Sequence, residues 1–208
     1  MSYAMKYLNT VVQSPRNQEN QMKSEQTEFR SKRSVPVWTN RFLMTTMIHV
    51  IFAICWTSLF VLTFIKPPLA MIMSYGSAGT WLLAGYVLYI VAGPLGNGLN
   101  AVLYQYFEVD LEKKYTGFVK IFAWLHLILG NIGTAGATWL LMIAGYFGGR
   151  ALMPTSLGGL GMNELQTHIT YMSHFIVPIG IFTLITIIGY LFGVLGYIRE
   201  EEEVVTGK

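Results

Sequence analysis

IFAWLHLILGNIGTAGATWLLMIAGYFGG, residues 121–149, contains no Lys, Arg, Asp or Glu. A surface helix of a soluble protein keeps a charged or polar stripe toward water, and this segment has none. It is also longer than the roughly 18 apolar residues that mark a bilayer-crossing helix. FLMTTMIHVIFAICWTSLFVLTFI, residues 42–65, repeats the pattern, and two further apolar segments, Ala78–Tyr106 and Tyr171–Ile198, bring the number of spans to four. The expected fold is an all-α integral membrane protein, a four-transmembrane-helix bundle.

The composition of the rest of the chain agrees. Of 208 residues, 53% are hydrophobic and 12% charged, about half the charged share of an ordinary soluble domain. The net charge of +3 reads as basic residues at helix boundaries, where they set orientation, so no nucleic-acid partner is expected. Cys55 is the single cysteine. With no partner in the chain it excludes an internal disulfide or thiolate cluster, and it is expected to be a small buried apolar side chain.

Boundary signals divide the chain. The first span is expected from Arg41 to Ile65, stopped by Lys66-Pro67-Pro68, with Trp38 as an interfacial anchor. The second carries Gly93-Pro94, expected to bend it rather than end it. The third begins near Phe118, after a charged connector over Glu108–Lys120. Gly133 and Ala137 there, and Gly189 and Gly193 in the fourth, form small-xxx-small pairs that predict a close contact between helices three and four. Residues 37–199 thus form the membrane domain. Residues 148–170 are expected as an external connector, with a short helix over Met162–Thr170 capped by Asn163.

Residues 1–36, rich in Gln, Asn and Ser, lack the apolar run of a cleaved signal peptide and read as a flexible cytoplasmic tail, with a weak surface-helix signal at 4–12. Residues 200–208 read as a second cytoplasmic tail, fraying because Glu200–Glu203 oppose the helix dipole. Placing both termini inside leaves only Lys66 and Arg150, of 14 Lys and Arg, on the opposite side, which gives an N-in/C-in topology. The expected location is a plasma or other energy-transducing membrane.

Polar residues within the spans carry the functional reading. His49 lies eight residues beyond Arg41 and His126 eight beyond Phe118, each roughly 12 Å inward at ~1.5 Å per residue. Asn97 and Tyr190 reach the same depth from helices two and four, with Asn100 and Thr186 nearby. The expected site is therefore His49, Asn97, His126 and Tyr190, with His49 and His126 as the metal-ligating pair. Two neutral imidazoles are suited to the iron of a b-type haem, and such a layer also suits a quinone carbonyl. The alternative is that Asn and Tyr simply satisfy buried histidines. Glu164 and His168, four apart, with Tyr171 and His174 following, form a second grouping near the opposite end, suited to a donor protein over residues 150–174 or to a metal.

Soluble-enzyme motifs are absent: no GxGxxG in a βαβ setting, no GxxxxGK[ST] and no HExxH. The scarcity of carboxylates within the spans argues against a carboxylate-bridged di-iron site. The four spans with His49, His126 and His174 loosely resemble the membrane cytochrome b subunits of multisubunit respiratory dehydrogenases. In this sequence His174 lies near the outer boundary, away from the inner-layer histidines. The expected function is an accessory membrane subunit of an electron-transfer or respiratory complex, carrying b-type haem or quinone and contacting lipids and other subunits. The alternatives are a cofactor-free structural or assembly subunit of a membrane enzyme complex, and a small transporter.

Overall fold

The protein, seen in a computed structural model, is described over residues 23, 36–62 and 67–206, with side chains through Ile198. The first 36 residues form a separate unit. The flexible-tail expectation for 1–36 and the surface helix at 4–12 fall on that unit, outside the described residues apart from Lys23 and Pro36. Among the described residues there are helices and no strand.

Four helices are long and apolar enough to cross a membrane: α1 (Val37–Val61), α2 (Gly76–Asp110), α3 (Gly117–Leu152) and α4 (Glu164–Ile198). A single helical turn, Leu69–Ile72, lies between α1 and α2. The first helix starts four residues earlier than its sequence signal, because its N-terminus is capped from elsewhere in the chain. The Glu108 carboxylate accepts from the amides of Val37 (3.0 Å), Trp38 (2.9 Å) and Thr39 (2.9 Å) and from the Thr39 hydroxyl (3.0 Å). These amides have no intrahelical acceptor, and a carboxylate beside them also meets the positive end of the helix dipole.

The second helix passes through Pro94 without ending. A π turn over Val91–Leu95 takes up the missing amide, and Pro94 is buried within it, one of the recognised ways a helix accommodates proline. A second π turn, Tyr106–Asp110, carries Glu108 at its middle, in the last turn of α2.

The third helix extends to Leu152, so the connector is much shorter than 148–170. Residues 153–163 fold back on it: Leu160 donates to the Arg150 carbonyl (3.2 Å), Met162 to Ala151 (2.9 Å) and Gly161 to Met153 (2.8 Å). Carbonyls left over at a helix end are thereby satisfied. Asn163 does cap, accepting from the Gln166 amide at 2.9 Å. The helix it opens is no separate lid: Glu164–Thr167 passes through a π turn at His168–Met172 into Ser173 and onward. No Gly or Pro interrupts 164–177, so nothing in the local sequence breaks it. The helix continues to Thr206, past the point where fraying was expected.

Packing is dominated by α3, which lies against α4 along one side and α2 along another, while α1 packs chiefly on the C-terminal half of α2. The predicted contact between helices three and four is present and rests on glycine. A methyl on Gly189 would overlap the Gly130 amide, and one on Gly133 would lie 2.5 Å from the Thr186 amide. The interface of α2 with α3 is built the same way. A methyl on Gly85 would come within 2.8 Å of both Met142 N and the Thr138 carbonyl.

Two expectations about single residues are corrected. Cys55 is exposed on the outward face of α1, not buried. Trp38 stands at the start of α1, but it is 3% exposed and packs edge-on to Trp124 and against Tyr104, so its ring faces the bundle rather than its surroundings.

Candidate functional site

His49 is held between α2 and α3. Its Nε2 lies 2.7 Å from Asn131 Oδ1 and its Nδ1 lies 2.9 Å from the Tyr89 hydroxyl. The amide orientation of Asn131 is fixed because its Nδ2 donates to the Leu127 carbonyl at 2.6 Å. Asn131 Oδ1 can only accept, so His49 Nε2 carries the proton, and Nδ1 accepts from Tyr89. Asn97 completes the layer by donating to Asn131 Oδ1 and to the Gly93 carbonyl, both at 2.8 Å. Gly93 matters here: a methyl at that position would stand 3.0 Å from His49 Nδ1, so the π-turn backbone and the imidazole are in direct contact.

His126 sits in a different layer. Phe42, seven residues before His49, packs on its ring at 5.1 Å, and Tyr190 does so at 5.4 Å. Asn131, the partner of His49, lies five residues further along α3. The two histidines are therefore staggered by roughly 7–10 Å at ~1.5 Å per residue. The common depth inferred from sequence assumed that α1 begins at Arg41, whereas Glu108 starts it at Val37.

Around His126 the surroundings are aromatic and sparsely polar. Its Nδ1 lies 3.3 Å from the Tyr104 hydroxyl, while Nε2 is buried with no hydrogen-bond partner. Gly193 admits the ring, since a methyl there would stand 2.8 Å from Cε1. A methyl on Gly96 would stand 3.4 Å from the Tyr190 hydroxyl. The structure thus separates the four expected site residues into two pairs, His49 with Asn97 and His126 with Tyr190.

Tyr89, Tyr104 and Asn131 are polar residues of these layers that the depth argument did not select. Asn131 carried a usable signal. It is a lone amide in a charge-free apolar segment, and such a group requires partners from another helix. What it pairs with depends on helix rotation, which depth along a single helix does not supply.

Iron held between two imidazoles needs an unpaired nitrogen from each, aimed at one point. His126 has one; His49 has none, and the two rings lie in different layers. As arranged, the pair does not fit a bis-histidine haem.

The second grouping is also taken up locally. His168 Nε2 lies 2.9 Å from Ser77 Oγ, and the ring meets Trp81 edge-on at 6.5 Å. His174 is exposed. Among the described residues no cluster of three or more His, Cys, Asp or Glu is placed to hold a metal ion. Compared with family models, curated proteins and solved structures, the chain shows no match.

Proposed function

We propose that this chain is an integral membrane protein, N-in/C-in, acting as a cofactor-free structural or assembly subunit of a membrane enzyme complex of the electron-transfer or respiratory class. The observation that carries the reading is the closed state of His49. Both ring nitrogens are spent on Asn131 and Tyr89, so the most polar point of the bundle locks α1, α2 and α3 together and leaves no nitrogen for a ligand. The loop over 153–163 supplies a surface for other subunits or a donor protein, with Leu157 and Leu160 exposed beside hydrogen-bonded backbone.

A second reading keeps a cofactor, because His126 Nε2 is buried without a partner. In the tautomer in which Tyr104 donates to Nδ1, Nε2 bears a proton that suits the carbonyl of a quinone. Mild-detergent purification from native membranes separates the two. Stable co-purifying subunits with no extractable haem or quinone support the structural reading. A stoichiometric quinone lost in His126→Phe supports the second. Substrate-dependent transport by the isolated protein in proteoliposomes overturns both. Leu157→Ser with Leu160→Ser should weaken subunit association while leaving insertion intact, since the backbone hydrogen bonds of the loop remain.

A further inference from the structure

At the end of the bundle where α1 starts, α2 ends and α3 starts, a cavity of about 330 Å³ is lined by Trp38, Arg41, Glu108, Lys113, Lys114 and Lys120, among others. Four cations and one carboxylate give that lining a net charge of +3. The carboxylate accepts four hydrogen bonds from the start of α1, so its oxygens are engaged away from the cations. Among the described residues no ion pair neutralises the lysines, and like charges gathered around one space repel unless an anion joins them.

Arg41 adds an observation of a different kind. Its guanidinium carbon lies 4.4 Å from the Trp38 ring and 4.4 Å from the Trp124 ring, in the corner formed by two indoles that meet edge to face. The two cation–π contacts hold the group against these rings, at the wall of the cavity it helps to line. A guanidinium held against aromatic rings keeps N–H donors in its own plane, the geometry suited to bidentate capture of a phosphate or carboxylate. The connector is shaped to deliver the lysines: Glu112 adopts a left-handed conformation (φ +52°) and Gly117 does likewise (φ +52°), so the chain turns back over the start of α1.

We infer that this cavity binds the phosphate headgroup of an anionic phospholipid, with Arg41 gripping the phosphate and Lys113, Lys114 and Lys120 supplying the field. The shared chemistry is phosphate, and the lipid source is favoured because apolar side chains continue from the cavity. Leu43 and Met44 on α1 and Ile121 on α3 are exposed within one turn of the lining residues Arg41 and Lys120, where acyl chains would lie. Basic pockets between helices at a membrane boundary are a recurring way of holding such headgroups. The inference rests on the membrane placement proposed above.

The test uses the full chain in mild detergent, with lipid adducts counted by native mass spectrometry during titration with phosphatidylglycerol or phosphatidylcholine. Phosphatidylglycerol should bind at least tenfold more tightly. The double variant Lys114→Gln with Lys120→Gln removes two exposed charges. It should weaken phosphatidylglycerol by about 25-fold, roughly fivefold per lysine, and leave phosphatidylcholine unchanged. Equal binding of the two lipids, or an unchanged double variant, overturns the inference. Inorganic phosphate binding with the same lysine dependence would assign the cavity to a free phosphate and overturn the lipid source. Alkaline carbonate extraction distinguishes the underlying reading. Release of the protein from membranes overturns the membrane placement, whereas retention without lipid preference overturns only this site.

Discussion

Asn131 is the residue on which the bundle's polar interior turns, because one carbonyl oxygen accepts from both His49 Nε2 (2.7 Å) and Asn97 Nδ2 (2.8 Å). Asn131→Leu would leave two buried donors without an acceptor, each costing about 1–3 kcal/mol. Tyr89→Phe removes one donor and leaves His49 Nδ1 unpaired in a ring that keeps its other bond, at about 1 kcal/mol. Unfolding of the detergent-solubilised protein should therefore rank Asn131→Leu well below Tyr89→Phe, and Tyr89→Phe below the parent. Equal stabilities would show that the layer does not hold the helices. At this scale the sequence revealed which residues were polar and deep, and hence His49, Asn97, His126 and Tyr190. It did not reveal who pairs with whom. Pairing follows from rotation about each helix axis and from a three- or four-residue difference in where a helix begins. Glu108, seventy residues away in sequence, sets that difference for α1.

Among the elements, α3 and α4 depend on backbone proximity more than on side-chain bulk. Without a hydrophobic drive between helices in lipid, close approach through small residues supplies the dispersion that holds them. Gly189→Ala places a methyl on the Gly130 backbone, which cannot yield as a flexible side chain can, whereas Gly180→Ala meets nothing within 4 Å. The first should lower the midpoint of detergent unfolding by the equivalent of roughly 1–3 kcal/mol, as overpacking does. The second should be neutral or slightly stabilising through helix propensity. The same measurement checks the cap: Glu108→Ala strips acceptors from three amides at the start of α1 and should cost about 1–2 kcal/mol. Four helix signals, the Gly133–Gly189 interface and the Asn163 cap were readable because each depends on local spacing or residue type. The extra length of α3 and the continuity of α4 from Glu164 were not. Gly148-Gly149 resembles a helix stop, yet a methyl on Gly149 would stand 2.5 Å from the Ile72 side chain, so that pair is a packing contact instead.

For the whole molecule, the arrangement of charge along the four helices makes a single prediction about sidedness. The described basic residues Arg41, Lys113, Lys114 and Lys120 line one end of the bundle, and Arg150 lies at the far end of α3. On the proposed four-span topology an even number of crossings returns the two termini to one side, and the excess of Lys and Arg predicts that this side is the cytoplasm. Single cysteines introduced by S24C, S74C, T116C, S156C and T206C in a Cys55→Ser background report this directly. Replacing Cys55 matters because it is exposed on α1. Membrane-impermeant maleimide applied to intact cells should label S74C and S156C, and reach S24C, T116C and T206C only after permeabilisation. Labelling of T116C in intact cells together with S74C would remove the crossing made by α2 and with it the four-span topology. The opposite pattern at all five positions would keep four spans but invert them, leaving the basic cavity on the outer leaflet.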